Sequence, residues 1–280
     1  MNSFPDPDDF SRFADFTILT TTYKTVAGHP IQTDVLVPKH LTSSMASTKP
    51  CPVLLRYHGG GLMSGSSLYP GFFQLWYLEL AARHSAVIVQ RELPAFVKKE
   101  TGGRVSVDTG RIHSTGESAG GYLSIMMGLS HPKETRVVTA AYLMLDLADE
   151  HFIKGPETPT LGMRMPRSVV DEHYEKIRKG EHGVFSTLLP LEKRHLFPLE
   201  RLEDGMRFPR GGVFVWHGEG DSVVPVKGSV KFEQAVRELD PELVFRLTLR
   251  DGEHGFDASA SIDDRWMEEG LRGLVEAWLE

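Results

Sequence analysis

Hydrophobic and polar positions follow two different patterns along this chain of 280 residues. Near the start, residues 17–26 and 31–37 are rich in β-branched side chains, and Gly28, His29 and Pro30 separate them. This pattern predicts an antiparallel hairpin. From residue 52 onward, short apolar runs alternate with segments that carry apolar residues at helical spacing. Such alternation is typical of βαβ units, and it predicts a mostly parallel sheet with helices on both faces.

The strands predicted in the alternating part are residues 52–57, 86–89, 111–117, 137–144, 212–216 and 243–249. The helices predicted between them are residues 72–84, 119–129 and 226–239, and an amphipathic helix closes the chain. On the first of these helices, Phe72, Trp76 and Leu80 share one face. On the closing helix, one stripe carries Met267, Leu271, Leu274, Val275 and Trp278. We interpret that stripe as core packing.

The alternation lapses between residues 146 and 207, where prolines stand at positions 156, 159, 166, 190 and 198. We predict that this segment is a helical lid inserted over the carboxyl edge of the sheet, because open α/β sheets bind ligands at that edge. Met163, Met165 and Phe185 would then give the substrate pocket an apolar, adaptable lining. The alternative is a solvated loop excursion.

A serine between two glycines is the strongest single signal in the sequence, in the run Gly116-Glu117-Ser118-Ala119-Gly120. It joins a predicted strand to a predicted helix, so Ser118 would occupy a sharp strand-to-helix turn. Such a turn is too sharp for side chains two positions before and after the serine, which explains both glycines. The pattern predicts a nucleophile elbow and therefore a serine hydrolase. A glycine turn without a catalytic role is the alternative.

A run of three glycines, in His58-Gly59-Gly60-Gly61, directly follows the first strand of the predicted parallel sheet. Consecutive glycines let the backbone approach a ligand closely and direct N–H groups toward it. Acyl transfer needs such donors at the oxygen that becomes negative. We therefore predict an oxyanion hole formed by the N–H groups of Gly60, Gly61 and Ala119, with His58 bracing the glycine loop.

The candidate acid and base follow later strands. Asp221 stands in the loop after the strand 212–216, and His254 stands in the loop after the next strand. The chain order Ser, Asp, His is that of α/β-hydrolases. His254 would take the Ser118 proton and return it to the leaving group, while Asp221 would fix the imidazole tautomer and stabilise the imidazolium.

Other residues compete for these roles. Asp257 and Glu253 lie near His254 in the sequence, although adjacency along the chain seldom gives the required side-chain approach. His217, beside a strand end, is the main rival for the base. Glu117 either tunes the local charge or makes a simple structural contact.

Composition argues against several other classes of function. The net charge of −7, with scattered basic residues, argues against nucleic acid or an anionic membrane as the main partner. The single cysteine, Cys51, lies in an apolar run and is interpreted as a buried structural thiol. No residue cluster has metal spacing and no nucleotide-binding glycine motif follows a strand, so no cofactor is expected. The apolar stretches are too short to span a bilayer and no signal peptide is evident, which predicts a cytoplasmic protein.

Together, these residues resemble the hormone-sensitive-lipase-like carboxylesterases of the α/β-hydrolase fold, and particularly their fungal members with a Gly-Glu-Ser-Ala-Gly-Gly elbow. The resemblance runs from about residue 52 to the C-terminus. It implies Ser118, Asp221 and His254 as the catalytic triad and hydrolysis of carboxylic esters through an acyl-enzyme. Members of this kind often act in specialised metabolism, where esters, lactones and thioesters are all substrates.

The chain departs from that family just before the nucleophile. The family normally has a Tyr-Arg-Leu-x-Pro-Glu segment and a full crossover helix there, whereas this chain has Gln90-Arg91-Glu92-Leu93-Pro94 and a short stretch to residue 101. A parallel crossover needs a dozen residues or more, so the connection remains possible. The reduced crossover, native or lost from the gene model, leads to the hypothesis that one sheet face is partly uncovered.

The sequence thus predicts a single α/β-hydrolase domain, residues 1–280, with a lid at 146–207. The predicted function is that of a serine esterase for small to medium, largely apolar esters, acting as a monomer or homodimer. One alternative is a thioesterase or acyltransferase that releases a product from a carrier. Another, from a different class, is a small-molecule-binding homologue without catalysis.

Overall fold

The computed structural model describes residues 10–43, 49–62, 65–89, 94–146, 149, 151, 189–190 and 192–280. Its strands are β1 (Phe16–Val26), β2 (His29–Pro38), β3 (Cys51–Tyr57), β4 (Val87–Val89), β5 (Val107–Glu117), β6 (Thr135–Ala141), β7 (Val213–Gly218) and β8 (Phe245–Arg250). They form an eight-stranded sheet in the order β1-β2-β4-β3-β5-β6-β7-β8.

The strand directions are those the sequence predicts. β1 and β2 form an antiparallel hairpin, and β2 pairs antiparallel with β4. The neighbouring strands from β4 to β8 are parallel. The strand predicted at 137–144 ends earlier, at Ala141, because Tyr142 has a φ of 32° and leaves the extended conformation.

The helices are α1 (Lys39–Ser43), α2 (Leu75–His84), α3 (Pro94–Glu100), α4 (Ala119–Ser130), α5 (Pro198–Glu203), α6 (Lys227–Leu239), α7 (Arg265–Leu271) and α8 (Leu274–Leu279). Short 3-10 helices lie at Phe10–Phe13, Pro70–Phe72 and Arg194–Leu196. Within the described ranges, no helix combines the length and the apolar character needed to cross a membrane.

Helices cover both faces of the sheet. In β7, Phe214 and Trp216 point to one face, where they pack with residues of α2, α7 and α8. Val213 and Val215 point to the other face, where residues of α4, α5 and α6 pack. All four side chains are fully buried. A parallel sheet covered on both faces explains why its strands are apolar at successive positions.

Two helices differ from their predicted extents. α2 begins at Leu75 rather than at residue 72, because the two residues before Leu75 are extended. Phe72, predicted on the buried face of that helix, lies in the preceding 3-10 turn and is 46% exposed. The predicted closing helix is two helices, since Gly273 takes the left-handed conformation between α7 and α8. The predicted stripe still packs inward: Met267, Leu271, Leu274 and Trp278 are buried, and Val275 is partly buried.

The short crossover before β5 carries one helix, α3, of seven residues. Its Val97 is fully buried and packs in one apolar cluster with Val53 and Leu55 of β3 and Val87 and Val89 of β4. These four strand residues are at most 6% exposed. The hypothesis that the reduced crossover leaves this face partly uncovered is therefore wrong for these strands. Residues 90–93, at the start of the crossover, lie outside the described part of the chain.

Candidate active site

Ser118 lies at the tight turn between β5 and α4. Its backbone has φ 57° and ψ −121°, a strained conformation for a residue with a side chain, and its N–H donates to the Ala141 carbonyl at 3.0 Å. The neighbouring glycines are required for steric reasons. A Cβ atom on Gly120 would overlap the Tyr57 carbonyl, and a Cβ on Gly116 would overlap the Gly120 carbonyl. The elbow sequence therefore follows from the close packing of α4 against the end of β3.

The glycine loop after β3 runs beside Ser118. A Cβ atom on Gly59 would lie 3.4 Å from the Ser118 Cβ. Gly60 and Gly61 both have positive φ, at 112° and 63°, which glycine adopts without strain. His58 contacts the same loop, with its Nδ1 at 2.7 Å from the Gly59 carbonyl. The glycine loop therefore approaches the serine at Gly59, and the oxyanion hole of Gly60, Gly61 and Ala119 stays a prediction.

A buried ion pair joins the elbow to the glycine loop. Glu117 pairs with Arg56 of β3, accepts the Gly59 N–H at 3.1 Å and accepts the Tyr77 hydroxyl at 3.0 Å. Burial raises the pKa of Glu117 to about 7, although Arg56 lowers it in part. The Arg56 guanidinium also stacks on the Phe73 ring, 4.1 Å from its centroid. Glu117 thus makes the structural contact that was one of its two predicted roles.

Sequence reasoning missed Arg56. The signal was present, because a charged residue inside the apolar run Cys51–Tyr57 has to find a partner when the strand is buried. The sequence alone could not identify that partner, because Glu117 is distant along the chain and reaches Arg56 only when β5 pairs with β3.

Asp221 and His254 meet in the loops that follow β7 and β8. The Nδ1 atom of His254 lies 2.7 Å from Oδ2 of Asp221. The other carboxylate oxygen of Asp221 accepts the N–H groups of Val223 at 2.9 Å and Val224 at 2.8 Å. Burial raises the pKa of Asp221, but hydrogen bonds from His217 and His254 outweigh that effect and hold the pKa well below its usual range. The carboxylate is therefore ionised and orients the imidazole.

The competing residues make other contacts. Glu253 accepts the backbone N–H groups of Ser222 at 2.7 Å and His254 at 2.8 Å. Asp257 is buried and accepts the Trp216 indole N–H at 2.9 Å, and burial raises its pKa. Among these carboxylates, Asp221 is the one hydrogen-bonded to the imidazole of His254.

Tyr142 links the His254 ring to the neighbourhood of Ser118. The backbone N–H of Ser118 donates a hydrogen bond to the carbonyl of Ala141. The next residue, Tyr142, packs its ring edge-on against the His254 imidazole, with ring centroids 4.5 Å apart. The hydroxyl of Tyr142 accepts an N–H from Gln74 at 2.8 Å. The elbow and the imidazole therefore lie at the same edge of the sheet. No hydrogen bond joins the Ser118 hydroxyl to His254, both of which are described residues.

An apolar cluster surrounds Ala119 at this edge. Its buried members are Ala119, Tyr122, Met144, Leu189, Phe197 and Val224, and its partly buried members are Leu62, Leu123, Met126, Leu196 and Val223. The side chains come from separate segments, so no local pattern in the sequence could have revealed them. The predicted lining residues Met163, Met165 and Phe185 lie outside the described residues. Among the residues that are described, no group of three His, Cys, Asp or Glu side chains could hold a metal ion.

A mostly parallel sheet covered by helices on both faces, with a strained serine after β5 and the Asp221–His254 pair after β7 and β8, defines the α/β-hydrolase fold. This chain has that fold. The predicted resemblance is confirmed at this level, while membership of the hormone-sensitive-lipase-like group stays a prediction.

Comparisons with known proteins agree with the fold. No family model matches the chain. The chain is similar to a probable carboxylesterase, M8, of Phoma sp., with 26% identity over 317 aligned residues that cover 96% of this chain and 98% of the relative. Because this alignment is longer than the chain, the relative has residues without a counterpart here.

Solved structures of esterases and serine hydrolases share the fold. The fluorophosphonate-binding serine hydrolase F of Staphylococcus aureus superposes with a TM-score of 0.60 at 12% identity, covering 94% of this chain and 98% of that one. Carboxyl esterase 2 of Tuber melanosporum gives a TM-score of 0.59 at 18% identity, covering 94% and 88% of the two chains.

Proposed function

We propose that this chain is a serine carboxylesterase in which Ser118 is the nucleophile, His254 the base and Asp221 the acid. The observation that carries the proposal is the 2.7 Å bond between His254 Nδ1 and an ionised Asp221, at the sheet edge where Ser118 takes its strained backbone conformation. The carboxylesterase name of the Phoma relative supports the same reaction.

The mechanism follows from these positions. His254 takes the Ser118 proton on Nε2 while the serine oxygen attacks the ester carbonyl. The carbonyl oxygen becomes negative and accepts hydrogen bonds from the N–H groups of Gly60, Gly61 and Ala119. His254 then gives its proton to the departing alcohol, leaving an acyl-enzyme that water hydrolyses by the same steps. The hydrogen bond between the Ser118 hydroxyl and the His254 imidazole forms on substrate binding, since such hydrogen bonds are often long in free enzymes.

Small to medium, largely apolar esters are the substrates that the site favours. The apolar cluster around Ala119 supports this preference, because it includes Met126, Met144 and Phe197. Binding apolar groups there removes apolar surface from water and leaves no buried charge without a partner. A lid at 146–207, a single domain over 1–280, a monomer or homodimer, a cytoplasmic location and a role in specialised metabolism remain predictions.

A fluorophosphonate probe tests the proposal directly, because it reacts only with an activated serine. Wild-type protein should be labelled at Ser118, and Ser118→Ala should lose both labelling and ester hydrolysis. Ser130→Ala is a matched control on the same helix, since Ser130 is exposed and accepts a hydrogen bond from Arg201. It should keep both signals. Folded wild-type protein that takes no label would contradict the proposal and favour a non-catalytic binder.

The substrate class needs a second measurement. A series of aryl esters of increasing acyl length should show higher kcat/KM for apolar acyl groups than for charged ones. A matched thioester in the same assay decides the remaining alternative. Faster turnover of the thioester than of its oxygen ester would favour a thioesterase.

A further inference from the structure

A second histidine also lies against the candidate acid Asp221. His217 lies near the end of β7 and its side chain is fully buried. Its Nε2 lies 3.2 Å from Oδ2 of Asp221 and 2.9 Å from the Val224 carbonyl, and its Nδ1 lies 2.7 Å from the Ser229 hydroxyl. His217 was the main rival for the base in the sequence. These contacts use both of its ring nitrogens within the fold.

The contacts define which nitrogen of His217 carries the proton. The Val224 carbonyl and the Asp221 carboxylate are acceptors, so Nε2 must donate. Ser229 is fully buried, and among the described residues its hydroxyl has Nδ1 of His217 as hydrogen-bond partner. Its proton therefore points at Nδ1, because a buried hydroxyl proton without an acceptor is costly. His217 thus donates from Nε2 and accepts at Nδ1.

Oδ2 of Asp221 accepts from His254 at 2.7 Å, and it lies 3.2 Å from Nε2 of His217, whose N–H also faces the Val224 carbonyl at 2.9 Å. Oδ1 accepts two backbone N–H groups, so both carboxylate oxygens have hydrogen-bond donors. A carboxylate that shares its charge with a second donor attracts the first donor less strongly.

We propose that His217 is a positioning residue for the Asp221–His254 pair: its Nε2–H fixes the carboxylate and weakens the pull of that carboxylate on His254. The proposal rests on the proposed function. Its consequence is that the acid limb of the pH profile of kcat/KM depends on the His217 ring as well as on the Asp221–His254 pair.

Other charged groups around the pair do not duplicate this contact. Glu253 faces it from the loop after β8 but binds backbone N–H groups. Asp257, in the same loop, binds Trp216. From the start of the predicted lid, the ring of His151 contacts the Val223 carbonyl at 2.8 Å. Removing His217 is therefore expected to act through Asp221.

The pH dependence of kcat/KM tests the role. His217→Phe keeps a ring but removes the donor, so the acid limb of the profile should move up by about half to one pH unit. His217→Gln retains a side-chain N–H and should restore part of the shift. Ser229→Ala is the matched control, because it removes the hydroxyl on the other ring nitrogen. It should lower thermal stability and leave the limb within about 0.2 pH unit of wild type.

An unmoved limb in His217→Phe, or an equal shift in Ser229→Ala, would overturn the proposal. Should His217→Phe fail to fold, ¹⁵N NMR of wild-type protein labelled at histidine still decides the matter. The expected spectrum shows His217 protonated on Nε2 and unprotonated on Nδ1. The opposite tautomer would refute the inference. This measurement needs no catalysis, so its failure is distinct from a failure of the esterase proposal, which shows as absent labelling of Ser118.

Discussion

His113 provides a quantitative test of how burial controls stability in this protein. It lies in β5, fully buried, with Nε2 at 2.9 Å from the Thr139 hydroxyl and with its ring packed edge-on against Trp278. Its other nitrogen, Nδ1, is buried and has no hydrogen-bond partner among the described residues. Burial lowers the pKa of His113 from 6.5 to about 3. The folded state therefore keeps this imidazole neutral.

The sign and size of the effect follow from proton linkage. As the pH falls below 6.5, the unfolded chain takes up a proton at His113 that the folded chain refuses until about pH 3. The folded state binds fewer protons, so stability falls as the pH falls. With these pKa values, His113 lowers the free energy of unfolding by about 2 kcal/mol between pH 8 and pH 5.

His113→Gln removes the titrating group, so this component of the pH dependence should disappear. Urea unfolding of wild type and variant at pH 8 and pH 5 measures it, and the comparison uses the change between the two pH values because the substitution itself shifts stability. His131→Gln is the control, since His131 is 55% exposed and should leave the wild-type change intact. Equal pH dependence in wild type and His113→Gln would refute the reasoning.

Two further predictions concern the site itself. Asp221→Asn keeps the shape of the acid but removes its charge, so kcat should fall by about 10⁴-fold with the circular dichroism spectrum unchanged; a loss below tenfold would show that another group orients His254. Arg56→Leu leaves Glu117 buried without its partner and should cost about 3 to 5 kcal/mol in urea unfolding. Arg83→Leu breaks an exposed ion pair and should lower the free energy of unfolding by less than about 1 kcal/mol. Equal losses of stability in the two variants would contradict the claim that burial makes the loss of Arg56 costly.

Local pattern was enough to predict the hairpin, the parallel strands and the elbow, because each depends on short-range rules. β-branched runs form strands, helical spacing buries one face, and a turn packed against β3 tolerates only glycine two positions before and after the serine. The interruptions of these patterns were harder to place. Phe72 fits the helical spacing of α2, yet the extended residues before Leu75 leave it outside that helix.

The amino-acid sequence by itself therefore determined the fold class, the position of Ser118 at its turn, and the few loops in which an acid and a base could stand. Only the tertiary structure decided which groups in those loops meet. It brought Asp221, rather than Glu253 or Asp257, to the His254 imidazole. The physical reason is that local conformation depends on neighbours along the chain, whereas hydrogen bonds between loops depend on the register of β7 against β8.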